Sequence, residues 1–390
     1  MAYPFIFQVL IVLAAAVTAG EVFEQFRMPS VAGELLSGII LGPTVLGVIS
    51  FSSDLQALST IALFFIIFLI GIEMNTETLR KHVPAAFMLA LTSFVLPLLV
   101  AFAIAAVVLP FGRTSDFVVA LTIAVPSISI ISVLVMQYEI LEKESGQVIL
   151  STVVVADLVA FVLLAATSST IPNTLGVIAD TAIFIIAFVL VDWMLNTRPG
   201  AVRKALSRIG RMARSEDLAY ALLIVAGLAV ASIFQAIGLS YIIGAYFAGL
   251  IVHDGLIGRK AFRDVSQTLS RMNRALFVPF FFGFAGLEAN LPSSSYTLLP
   301  WLGVVIAASI VPATALTYFG AKHALRARDP GGPKQIALTL GGRGAVGIVI
   351  ASVALSNGIL DGTAYSLIVI GTLAVSLVVP LLLGRKGVAD

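Results

Sequence analysis

The chain has 390 residues, 59% of them hydrophobic and only 11% charged, with no cysteine and a net charge of +2. A globular chain is about 45–50% apolar and about 25% charged, so this composition is that of an all-α, polytopic membrane protein. The missing cysteines exclude disulfides, thiolate metal sites and a cysteine nucleophile. His82, His253 and His323 are scattered, which argues against a histidine metal cage, and a net charge of +2 lacks the concentrated basic face that nucleic acid requires.

A spanning helix needs roughly 20 mostly apolar residues. In chain order such stretches predict spans at Phe5–Phe26, Val31–Ile49, Leu55–Met74, Ala85–Leu109, Phe117–Gln137, Val148–Ala166 and Leu175–Asn196. Six more follow at Leu218–Ile237, Ser240–Val252, Leu269–Leu287, Leu299–Phe319, Gln335–Leu355 and Ala364–Leu383, thirteen in all. The first stretch has neither a basic region before it nor a cleavage pattern after it, so it reads as a span and not a signal peptide. Between Ala201 and Arg214, apolar residues at helical spacing alternate with basic ones, as in a surface-lying linker helix; an ordinary basic loop fits equally well.

Short cytoplasmic loops collect Lys and Arg. Of the 23 basic residues, 21 follow odd-numbered spans or lie at the cytoplasmic start of the next; Arg113 alone lies on the other side and Arg343 alone lies deep inside a span. That asymmetry places the N-terminus outside and the C-terminus in the cytoplasm.

The two halves of the chain repeat one another. Shifted by 211 positions, Gly33 and Gly38 fall on Gly244 and Gly249; shifted by 215, Gly71, Glu73 and Asn75 fall on Gly286, Glu288 and Asn290. An offset of seven crossings turns the second copy upside down, so spans 1–6 and 8–13 form inverted repeats. Such repeats mark secondary transporters, with a midplane site built on broken helices. Span 5 carries Pro126 among Ser127, Ser129 and Ser132, and its counterpart, span 12, carries Gly341, Gly342, Gly344 and Gly347. Both interruptions fall in the fifth helix of a repeat. Proline and glycine also serve in membrane helices as plain kinks and packing contacts.

Asp157 lies about ten residues, roughly 15 Å, from either end of span 6. A mid-bilayer carboxylate is costly and by default marks an ion or proton path. Desolvation penalises its charged form, so a proton and a cation can compete for the same oxygens. A structural, paired aspartate is the alternative. Arg343 is either its direct partner or a fixed charge facing the dipole ends of broken span 5; a guanidinium cannot exchange protons. Glu21, Glu24, Glu34, Glu73, Asp192 and Glu288 lie near span ends, where acids mostly cap helices or meet water.

The segments MPSVAGELLSGIILGPTVLG, FFIIFLIGIEMN, LFVPFFFGFAGLEANL and GGRGAVGIVIA, with deep Asp157 between the second and third, together resemble the second monovalent cation:proton antiporter family. That group includes Kef-type potassium and Nap-type sodium exchangers of Nha-type fold. The resemblance covers essentially the whole chain. It implies Na⁺/H⁺ or K⁺/H⁺ exchange without a cofactor, by an elevator movement, in a homodimer of the bacterial inner membrane. It also implies a dimerisation domain over about 1–76 and 217–290, a core over about 83–168 and 297–385, and a linker over about 172–214. Spans 5 and 12 become the crossed, unwound pair. Asp157 becomes the cation- and proton-binding carboxylate, and Ser127 the hydroxyl of the crossover. Ser129 is a further candidate ligand, with Pro126, Ala156, Gly342, Gly344 and Arg343 in support.

Two departures carry weight. Electrogenic relatives place a second acid just before the essential aspartate, where this chain has Ala156, and keep a lysine in span 11, where none lies between Leu299 and Phe319. The pattern favours one cation per proton. No nucleotide-binding regulatory domain is expected after span 13. A sodium-coupled organic-anion symporter needs more polar residues around a cavity. A channel needs a carbonyl filter or a ring of acids. An enzyme needs a nucleophile–base pair or metal cluster, and none is evident.

Overall fold

The computed structural model describes residues 4–26, 28–73, 84–126, 131, 144–167, 216–236, 241–252, 259–290, 292–324, 332–343 and 345–384. The regular elements in these segments are helices: α1 (Phe5–Gln25), α2 (Ser30–Leu41), α3 (Ser53–Glu73), α4 (Pro84–Val108), α5 (Arg113–Ala124), α6 (Glu144–Thr167) and α7 (Glu216–Ala236). They continue with α8 (Tyr241–Ile251), α9 (Arg259–Met272), α10 (Val278–Glu288), α11 (Leu299–Ala324), α12 (Gly332–Thr339), α13 (Ala345–Ser356) and α14 (Gly362–Gly384). By length and composition, Phe5–Gln25, Ser53–Ile72, Pro84–Val108 and Ser295–His323 can each cross a bilayer unbroken. The expected span Leu175–Asn196 and the linker segment lie outside the described residues.

Two helix limits differ from expectation. The second span was expected to reach Ile49, but α2 stops at Leu41 and Gly42 turns extended (ψ 178°). Pro43 disfavours helical backbone in the residue before it. The tenth was expected to begin at Leu269, but helix starts at Arg259. It passes through a π-helical turn, Asn273–Phe277, and runs on as α10. Charges that read as loop sit on the polar side of an amphipathic helix.

The chain divides into two compact units. The first holds residues 1–56, 75–164 and 282–390. Within it α1 lies along α2, α4 packs on α5 and α11, α11 packs on α12, and α13 and α14 both pack on α5. α14 starts on an N-cap: Asp361 Oδ1 accepts the Ala364 N–H at 2.7 Å, which satisfies a donor the helix cannot. The α10 end is tied down by Tyr365, whose hydroxyl donates to the Ala285 carbonyl (3.2 Å), and by Ser366, whose Oγ accepts from Asn290 N (2.9 Å). A Cβ on Gly38 of α2 would strike the Gly283 carbonyl and Leu287 N, so α2 and the second half of α10 meet backbone to backbone.

The second unit holds residues 57–74 and 165–281. In it α7 packs on α8. A Cβ on Gly249 of α8 would strike the Phe68 carbonyl and Ile72 N of α3. Asn273 Nδ2 donates to the Phe65 carbonyl at 3.1 Å, and the Phe65 and Phe277 rings stack with centroids 4.5 Å apart. These contacts fasten the π-helical turn to α3.

Candidate functional site

Two broken helices meet in the first unit. α5 ends at Ala124 because Pro126 forces its predecessor out of the helix: Val125 is extended, with φ −67° and ψ 128°. α12 ends at Thr339 and tightens over glycine, with Gly341 N donating to Leu338 O (3.3 Å) and Gly342 N to Thr339 O (3.0 Å). The breaks face each other through an antiparallel backbone bridge between Pro126 and Arg343. Beyond it, Gly347 in the first turn of α13 comes so close to the Thr122 carbonyl of α5 that no side chain fits there. The Gly341 and Gly342 N–H groups take up the Leu338 and Thr339 carbonyls, and Val125 N takes up Leu121 O (3.1 Å), while the C-terminal ends of α5 and α12 keep the partial negative charge of the helix dipole. The start of α13 adds the opposite pole. Helix-dipole ends of both signs therefore collect at one place.

Arg343 is 2% exposed. Its Nη2 donates to the Ser93 carbonyl at 2.8 Å and its Nη1 to the Leu340 carbonyl at 3.1 Å, while Nε has no partner. Ser93 belongs to a π-helical turn in α4, Leu91–Val95, where the ordinary i→i−4 ladder is displaced and carbonyls are released. The guanidinium thus joins the end of α12 to the irregular turn of α4. Of the two roles the sequence left open for it, direct pairing with Asp157 is not what these bonds make: among the described residues no ion pair joins the two.

α6 brings in the carboxylate. Val148, Ile149 and Val153 pack into one buried cluster with Leu89 of α4, Ala321 of α11, Ile336 and Leu340 of α12, and Ile131. Asp157 follows Val153 by four residues and so continues the same stripe one turn further along. It is 5% exposed, and its Oδ1 has no hydrogen-bond partner. Ala156 beside it is fully buried. An unmet carboxylate oxygen in such a setting is expensive, and a proton or a hard cation bound to it would relieve that cost.

Of the residues singled out in the sequence, Pro126, Gly342 and Arg343 come together at the crossover, and Ala156 and Asp157 share a turn of α6. Ser127, Ser129, Ser132 and Gly344 lie outside the described residues. Glu21 and Glu24 are exposed on α1 and Glu34 is buried on α2. A set of buried hydroxyls is not conspicuous in the sequence: Ser93, Ser151, Ser309, Thr317 and Thr339 each have a side-chain oxygen without a partner. Their signal is weak, because Ser and Thr in membrane helices ordinarily bond back to their own helix. Thr122 and Thr152 do so, to Val119 O at 2.8 Å and Val148 O at 2.7 Å.

Comparison with known proteins shows the family. The chain belongs to the sodium/hydrogen exchanger family, whose transmembrane region matches residues 10–385, and is thus a multi-pass membrane transporter that exchanges monovalent cations for protons. It is 24% identical over 384 residues to the Na(+)/H(+)-K(+) antiporter GerN of Bacillus cereus, covering 97% of this chain and 95% of that one. It is 25% identical over 405 residues to cation/H(+) antiporter 15 of Arabidopsis thaliana, where it covers 95% of itself and only about half, 47%, of the longer relative. In fold it is similar to the sodium proton antiporter MjNhaP1 of Methanocaldococcus jannaschii, with a TM-score of 0.71 at 16% identity and 99% of both chains covered.

Proposed function

We propose that exchange runs through Asp157, which holds Na⁺ or K⁺ when ionised and a proton otherwise. The observation that carries this reading is its buried Oδ1 without a hydrogen-bond partner, on a helix packed against the end of α12. Hard cations take oxygen ligands. Backbone carbonyls at the crossover, water, and the hydroxyls of Ser127 and Ser129 are suited to complete the shell. Pro126, Gly342 and Gly344 keep backbone out of helical bonding, and Arg343 holds the broken ends in place. A site loaded with either ion is neutral. An empty one is a bare carboxylate whose desolvation opposes movement, and this couples the two fluxes.

In this reading the exchange is electroneutral, one cation for one proton, because Ala156 stands where a second acid would and span 11 has no lysine. Transport proceeds by an elevator movement of a core over about 83–168 and 297–385 against a dimerisation domain over about 1–76 and 217–290, joined by a linker over about 172–214. The protein is a homodimer in the bacterial inner membrane, with thirteen spans, the N-terminus outside and the C-terminus in the cytoplasm.

Inverted repeats are supported by a reciprocal pair of contacts. Gly38 meets Gly283 O and Leu287 N, while Gly249 meets Phe68 O and Ile72 N. The 211-residue shift carries Gly38 to Gly249, and the 215-residue shift carries Phe68 and Ile72 to Gly283 and Leu287. The same junction is thus built twice with its halves exchanged.

Asp157→Asn in proteoliposomes tests the site. The variant is expected to fold, since asparagine is isosteric, and to lose cation-driven dequenching of a pH gradient. Robust flux in that variant refutes the assignment.

A further inference from the structure

Among the described helices α9 is by far the most amphipathic. At 100° per residue, Lys260, Arg263, Gln267 and Arg271 fall within an arc of about 80°, and Arg274 follows in the π-helical turn. Arg263, Gln267, Arg271 and Arg274 are exposed. The opposite side holds Val265, Leu269 and Asn273, all buried, and Asn273 is the residue bonded to the Phe65 carbonyl. Among the described residues no carboxylate pairs with these arginines. Met272 and Leu276, each 40% exposed, alternate with Arg271 and Arg274, so apolar surface stands at the level of the charges.

We infer that the outer face of α9 is a docking surface for anionic phospholipid headgroups of the cytoplasmic leaflet. A basic segment immediately next to a spanning helix attracts anionic lipid, and neighbouring apolar side chains suit the boundary between headgroup and acyl chain. A soluble anion would use the arginines but leave Met272 and Leu276 without a purpose. α9 runs without a break into α10, and its turn is pinned to α3. Lipid held on this face therefore fixes the inner end of that helix relative to the bilayer. The inference rests on the orientation proposed above and is independent of Asp157.

The test compares the parent, the triple variant R263Q/R271Q/R274Q, the charge-keeping R263K/R271K/R274K and Asp157→Asn, each purified in detergent. Retention of phosphatidylglycerol against phosphatidylcholine is read by native mass spectrometry. Exchange is read in liposomes of phosphatidylcholine with and without phosphatidylglycerol. The parent is expected to prefer phosphatidylglycerol. The glutamine variant is expected to bind it roughly tenfold to a hundredfold less and to lose any gain in exchange that it brings, while the lysine variant retains both. Asp157→Asn is expected to bind lipid like the parent while failing to transport, which separates this surface from the ion site. Equal retention of both lipids by the parent, or an undiminished preference in a folded glutamine variant, overturns the inference.

Discussion

Pro126 and Arg343 face each other in an antiparallel backbone bridge, each at the break of its own helix and each supplied by a different half of the chain. Proline breaks one helix by forbidding helical backbone before it, and a glycine run breaks the other. Helical termini are brought together inside the fold, an arrangement tolerated within a membrane only where the backbone groups freed at the breaks find partners or line a cavity. Arg343 supplies part of that partnership.

Removing its side chain should therefore cost stability before it affects ion chemistry. Arg343→Met leaves the Ser93 and Leu340 carbonyls without their donor, a loss of about 2–4 kcal/mol. Arg343→Lys keeps the charge but not the planar fork and should fall in between. Thermal unfolding in detergent checks the order. A methionine variant as stable as the parent would show that the two bonds contribute nothing.

Close backbone approach at the crossover makes a second expectation. Gly347→Ala should push α13 from α5, with a cost of about 1–3 kcal/mol. Gly303→Ala on α11, where a Cβ meets nothing within 4 Å, should be neutral or stabilising by up to about 1 kcal/mol. Similar melting shifts for the two variants would contradict the packing.

The proposed repeat makes a third. Gly38→Ala and Gly249→Ala strike corresponding pairs of backbone atoms, so both should destabilise, each by about 1–3 kcal/mol. A large loss at one and none at the other would mean that the two junctions are not related.

Stoichiometry makes a fourth. On the proposed one-for-one exchange, an imposed membrane potential should leave the equilibrium cation gradient in proteoliposomes unchanged. A gradient that follows the voltage would require more protons than cations per cycle.

The broken helices and the deep carboxylate were legible in the sequence because proline, clustered glycine and a mid-span aspartate are conspicuous in an apolar chain. The end of α2 at Gly42–Pro43 was hidden inside a long apolar run, where hydropathy does not register a turn. α9 was missed for the opposite reason: its arginines lower the hydropathy although its spacing is helical. Neither π-helical turn leaves a compositional mark, since Ser93 and Asn273 acquire their roles only from Arg343 and Phe65, far away in the sequence. The same holds for Ser309, Thr317 and Thr339, whose hydroxyls stand out only once burial leaves them unpaired.

Proton release on cation binding tests most directly the proposal that cation and proton share the Asp157 carboxylate. Adding Na⁺ or K⁺ to purified protein in weak buffer, just below the pH at which exchange begins, should displace up to about one proton per chain, as expected when a ligand must lose its proton to bind a cation. Asp157→Asn should release none. Undiminished release from that variant would place the exchange of cation for proton elsewhere in the molecule.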